Sequence, residues 1–169
     1  MSTRDLVKMA MYLALFVVLD FVANQFGIFK MPKGGSLGIG VVPLLLASYD
    51  LGFRKGVLVA LLTIPLMYMT GQVWFVSFGQ FALDYVLAFG VYGLATMFPS
   101  FNKDGAYPVM TGIVITNALR TFFSYLAGVW YWEVPPKVSL TYQLSYMVPT
   151  LILTLIVVPL VMARLKRDS

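Results

Sequence analysis

Gln80 and Asp84 stand four residues apart in the apolar segment Gln80-Phe-Ala-Leu-Asp84-Tyr85-Val-Leu-Ala-Phe89, with Tyr85 beside the carboxylate. Ionising a carboxylate in hydrocarbon is costly, so such a residue faces a cavity, a partner charge or a ligand. The i, i+4 spacing puts the amide and the carboxylate on one helix face. Further along, Asn117, Arg120 and Ser124 repeat at helical spacing, and Gly128 continues their face. Gln143, Tyr146, Thr150 and Thr154 make a third stripe, and Asp20 and Asn24 a short fourth one. Polar groups that cannot be left unpaired in lipid must face one another, so these stripes predict a shared polar cavity that takes a small molecule. Asp84 could instead pair with Arg120 and fix helix packing, or do both in turn. Asp20 reads more readily as a local hydrogen-bonding group. The Thr150 and Thr154 hydroxyls are expected to bond back to their own helix.

The elements that carry these stripes are spans of a membrane protein. Hydrophobic residues make up 60% of the 169, charged residues only 11%, and mean hydropathy is +0.85. A soluble domain of this size carries roughly 25% charged residues. A span needs about 20 apolar residues, fewer where other helices shield it. Six are predicted, near 6–26, 38–52, 56–69, 78–98, 107–132 and 141–165, with 38–52 and 56–69 short. Residues 1–169 then form one domain, an all-α integral membrane protein built as a bundle of six transmembrane helices. Charged, glycine-bearing turns separate the spans at 50–56 and 98–105. The first apolar run is too long for a cleavable signal, and no small-residue cleavage site follows it.

Lys and Arg placement sets the orientation. With both termini inside, Arg4, Lys8, Arg54, Lys55, Lys103, Arg164, Lys166 and Arg167 are cytoplasmic, against Lys30, Lys33 and Lys137 outside. Eight against three predicts N-in and C-in. The outer connections then contain Trp74, Trp130 and Trp132. Aromatics at an interface are ordinary belt residues. Trp130 fits that reading as well as any other, whereas Trp74 and Trp132 lie beside the polar cluster and are expected to touch a ligand.

Several functions are excluded or disfavoured. There is no cysteine and no histidine, which removes disulfides, thiolate chemistry and the commonest general base and metal ligand. No P-loop, no zinc-protease motif and no nucleophile elbow occurs. No basic face interleaved with aromatics suggests nucleic acid. No cofactor or metal is implied, and an intramembrane enzyme using Asp84 is a remote alternative. A stand-alone transporter or channel would need a polar path across the whole membrane, whereas the polar stripes crowd into one half.

The chain resembles the substrate-binding S components of energy-coupling factor (ECF) vitamin transporters, and within them the thiamine-specific group and its relatives. The resemblance covers nearly the whole chain and rests on Met31-Pro-Lys-Gly-Gly-Ser36, Gly56-Val-Leu-Val-Ala60, the Gln80–Phe89 segment, Arg120-Thr-Phe-Phe-Ser124-Tyr-Leu-Ala-Gly128, and Tyr142-Gln143-Leu-Ser-Tyr146-Met-Val-Pro149. It implies a multi-pass protein of the bacterial plasma membrane that binds a vitamin from outside. Delivery would follow by toppling on a transmembrane coupling subunit and two ATPase subunits. Ala10 and Ala14 match the small-residue docking motif. The implied substrate-binding residues are Trp74, Gln80, Asp84, Tyr85, Asn117, Arg120, Ser124, Trp132, Gln143 and Tyr146.

Three positions depart from the thiamine pattern. Asp84 stands where that group has Glu, Ser124 where it has His, and Gln143-Leu144 where it has Asn-Gly. Changed hydrogen-bond partners discriminate against the original ligand. The sequence therefore predicts a smaller hydroxymethylated heterocycle, hydroxymethylpyrimidine or a pyridoxine-type vitamin, with thiamine as the alternative.

Overall fold

A computed structural model describes residues 1–27, 35–71, 73–101 and 108–167. Lys30, Lys33, Lys103 and most of the Met31–Ser36 motif, which enter the orientation count and the resemblance above, lie outside the described residues. The helices are α1 (Thr3–Gln25), α2 (Val41–Leu51), α3 (Phe53–Met69), α4 (Phe78–Met97), α5 (Thr111–Trp130) and α6 (Pro136–Arg167). A two-stranded antiparallel ribbon, β1 (Ser100–Phe101) with β2 (Val109–Met110), precedes α5.

Length and hydropathy let α1, α4, α5 and α6 cross a membrane, whereas α2 is a shorter apolar helix. Every residue of α2 from Val41 to Ser48 is buried. A helix shielded on all sides by others need not match the bilayer, which explains its shortness. Two predicted boundaries move. The span expected at 107–132 begins only at Thr111, because 109–110 pair as strand. The span expected at 141–165 begins at Pro136, where proline is pre-organised for the first helical turn.

Chain reversal between α2 and α3 occurs at Gly52, whose φ of +84° no side-chain-bearing residue adopts easily. At this end of the bundle Lys8 of α1 pairs with Asp50 of α2 at 2.8 Å, and Lys55 of α3 with Asp5 of α1 at 2.9 Å. Tyr12 Oη adds a hydrogen bond to Asp50 at 3.0 Å.

The irregular helix is α4. Its middle, Ala82–Leu87, is π-helical, and its last part, Val91–Met97, is a 3₁₀ helix. Leaving the α ladder frees backbone groups that must find partners elsewhere. Ser48 Oγ donates to Gly93 O at 2.7 Å and accepts from Thr96 N at 3.2 Å. Gly93 also lets α3 and α4 touch: a Cβ there would lie 2.2 Å from Val57 N.

Candidate functional site

A cavity of 920 Å³ opens at the end of the bundle opposite the Lys8–Asp50 pair. Ligand pockets commonly measure about 300–1,000 Å³. Its walls come from the ends of α1 and α3, the start of α2, the first half of α4, the second half of α5 and the first half of α6. Of the residues named from the sequence, Trp74, Gln80, Asp84, Tyr85, Arg120, Ser124, Trp132, Gln143 and Tyr146 all line it. Asp20 and Asn24 line it too.

Asn117 does not. It sits beneath the cavity, accepts a hydrogen bond from Tyr92 Oη at 3.0 Å and donates to Ile113 O at 2.8 Å. Thr154 lies beside it, 3.4 Å from its amide nitrogen. Tyr92, Thr116, Thr150 and Thr154 are wholly buried at this level. The stripe that looked continuous on α5 thus splits into a deep packing half and an upper cavity half. Thr150 and Thr154 bond back to Tyr146 O and Thr150 O, as expected for threonines within helices.

The π-helical turn positions the carboxylate. In a regular α-helix, neighbours such as Asp84 and Tyr85 point about 100° apart. The wider turn lets Gln80, Asp84, Tyr85 and Phe89 share the cavity wall. Single π turns recur at functional sites. Asp84 Oδ2 accepts from Gln80 Nε2 at 2.9 Å and from Trp132 Nε1 at 3.3 Å. Gln80 Oε1 accepts from Val76 N at 3.2 Å, and Tyr85 Oη from Trp74 N at 2.8 Å. Two side chains of α4 therefore hold the backbone of the 73–77 connection over the cavity.

Arg120 takes a different partner from the one considered above. Its guanidinium carbon lies 4.6 Å from the centre of the Phe89 ring and 5.6 Å from that of Tyr92. No ion pair joins Arg120 to Asp84, whereas Lys8–Asp50 and Lys55–Asp5 pair at the opposite end. Arg120 Nη1 has no hydrogen-bond partner. The guanidinium rests on two ring faces by cation–π attraction, with the carboxylates of Asp20 and Asp84 within electrostatic reach. Gln143 donates to Ser124 O at 3.3 Å, and Tyr146 Oη donates to Gln143 Oε1.

Two contributors escaped the sequence reading. Tyr142 lines the cavity and its hydroxyl accepts from Gly35 N at 2.9 Å, tying the segment before α2 to α6. Its place four residues before Tyr146 was the available signal. Phe89, the platform under Arg120, looked like one more apolar residue.

The charged side chains among the described lining residues are Asp20, Asp84 and Arg120. They lie among the aromatic side chains of Trp74, Tyr85, Trp132 and Tyr146. A wall that joins carboxylates to aromatic faces suits an aromatic cation.

The family described as "Thiamine transporter protein" matches residues 6–168. The chain belongs to that family. As a member of a membrane transporter family it is a transporter, not an enzyme. Thiamine transporter ThiT of Bacillus subtilis (strain 168) is 31% identical, over 90% of this chain and 86% of that protein. ThiT from Listeria monocytogenes superposes with a TM-score of 0.70 at 19% identity, covering 98% of this chain and 94% of that one. A structure described as the S component of a bacterial ECF transporter gives 0.59 at 22% identity, with the same coverage. The fold of this family member is therefore that of an ECF S component. The hydroxymethylpyrimidine and pyridoxine resemblance drawn from positions 84, 124 and 143 gains no support. The shorter Asp84 still delivers a carboxylate to the wall, steadied by Gln80 and Trp132.

Proposed function

We propose that this chain is the thiamine-binding S component of an ECF-type importer in the bacterial plasma membrane. The observation that carries the reading is the Asp84 carboxylate, held by Gln80 and Trp132 in a cavity lined by aromatic side chains, within a chain of the thiamine transporter family. Thiamine is a monocation built from two aromatic rings. Asp84 faces its charge, Trp74 and Trp132 cover its rings, and Arg120, Ser124, Gln143 and Tyr146 meet its polar edge. Hydroxymethylpyrimidine lacks the fixed positive charge and would gain nothing from the charge of Asp84.

In this reading α1 to α6 all cross the membrane, α2 and α3 inside a shell of longer helices, and both termini are cytoplasmic. Ala10 and Ala14 are exposed on α1 between the exposed side chains of Val7, Met11, Leu15 and Val18. A small-residue strip on an apolar helix face lets another helix approach closely, which supports docking on a transmembrane coupling subunit. Two ATPase subunits supply the energy, and the S component topples to release its cargo. The sealed layer of Tyr92, Asn117 and Thr154 supports a carrier of this kind over a channel.

Titration of the purified chain by tryptophan fluorescence tests the ligand. Thiamine is expected to bind at least about tenfold more tightly than pyridoxine or hydroxymethylpyrimidine, a preference of roughly 1.4 kcal/mol or more. Tighter binding of either smaller ring would overturn the assignment.

A further inference from the structure

Gln80 lines the cavity yet is 1% exposed, so it offers a ligand almost no surface. Both ends of its amide are already engaged. Nε2 donates to Asp84 Oδ2 at 2.9 Å, and Oε1 accepts from Val76 N at 3.2 Å. Asp84 Oδ2 receives a second donor, Trp132 Nε1, at 3.3 Å. One carboxylate oxygen is thereby occupied twice, by α4 itself and by the connection that leads into α6. Ser124 adds a side-chain hydrogen bond to the same carboxylate, so donors from α4, α5 and the connection before α6 all converge on it.

A carboxylate on a short side chain has two torsions, and a cavity wall alone does not hold them. A donor one turn away does. Gln80 is fixed in turn by the backbone of the 73–77 connection, whose Ser77 caps the start of α4 through Gln80 N at 3.2 Å. The order of dependence runs from connection to amide to carboxylate.

We propose that Gln80 is a positioning residue: it serves cation capture by orienting Asp84 and linking that carboxylate to the backbone of residues 73–77, without touching the ligand. The inference rests on the reading of the cavity as a thiamine site.

A double-mutant cycle separates this from a purely structural role. The purified full-length protein is titrated with thiamine as wild type, Gln80→Leu, Asp84→Asn and the double variant, with melting temperature recorded for each. Gln80→Leu is expected to weaken thiamine about tenfold, the weight of one hydrogen bond to a charged group. In the Asp84→Asn background the same change is expected to cost less than about threefold, because residues acting through one another are non-additive. An equal fold-loss in both backgrounds would overturn the inference while leaving the thiamine site standing. Thiamine binding unaffected by Asp84→Asn would overturn both. Where Gln80→Leu does not fold, Gln80→Met, of similar length and shape, enters the cycle with the same expectations.

Discussion

Trp132 Nε1 lies 3.3 Å from Asp84 Oδ2, joining two residues 48 positions apart. The indole is 41% exposed at the rim, whereas the carboxylate lies lower on the π-helical turn of α4. One side chain thus bridges the entrance and the charge below it. Replacing Trp132 with Phe keeps most of the ring and deletes the donor. Thiamine affinity is expected to fall about three- to tenfold, equivalent to roughly 0.5–1.5 kcal/mol for one hydrogen bond. The ligand-induced change in tryptophan fluorescence should shrink in the same variant.

Asp84→Ala removes the carboxylate and strands the donors of Gln80 and Trp132. The expected loss is about 10- to 100-fold in thiamine affinity, from roughly 1.5–3 kcal/mol for hydrogen bonds to a charged group. A neutral hydroxymethylpyrimidine should lose far less in the same variant. Calorimetric titration of both ligands reads the difference.

Asn117 answers to a different test. Its Oδ1 satisfies Tyr92 Oη in a fully buried layer, below the cavity walls. Asn117→Ala leaves that hydroxyl without its acceptor, a cost of about 1–3 kcal/mol. The melting temperature in detergent should drop by several degrees, while thiamine affinity changes by less than about threefold, well under 1 kcal/mol. A large loss of affinity without loss of stability would return Asn117 to the ligand shell.

Gly93→Ala forces a methyl against the Val57 backbone. Backbone cannot yield as a flexible side chain does, and overpacking costs about 1–3 kcal/mol. Reduced thermal stability is expected, with thiamine binding retained in the fraction that folds.

Much of the site could be read from helical spacing. Gln80 and Asp84 are one turn apart, and the structure joins them by a hydrogen bond. Residues from each of the polar stripes on α1, α4, α5 and α6 line one cavity. What spacing could not show was depth. Asn117 and Arg120 share a face, but Asn117 lies below the cavity and packs against Tyr92, while Arg120 reaches the wall across Phe89. The π turn was equally hidden, because a helix apolar on nearly every side carries no period to be disturbed. Position 84 shows the same limit: the spacing gives a carboxylate, but the widened backbone turn and the donors around it set where that carboxylate ends up.

The layer formed by Tyr92, Asn117 and Thr154 makes the cavity a cup and not a pipe. A pipe needs a gate, and a gate that fails dissipates the ion gradients on which the cell runs. A cup has nothing to leak. In the proposed reading, copies of this protein waiting without cargo or partners can therefore accumulate in the membrane at no cost to its electrical resistance.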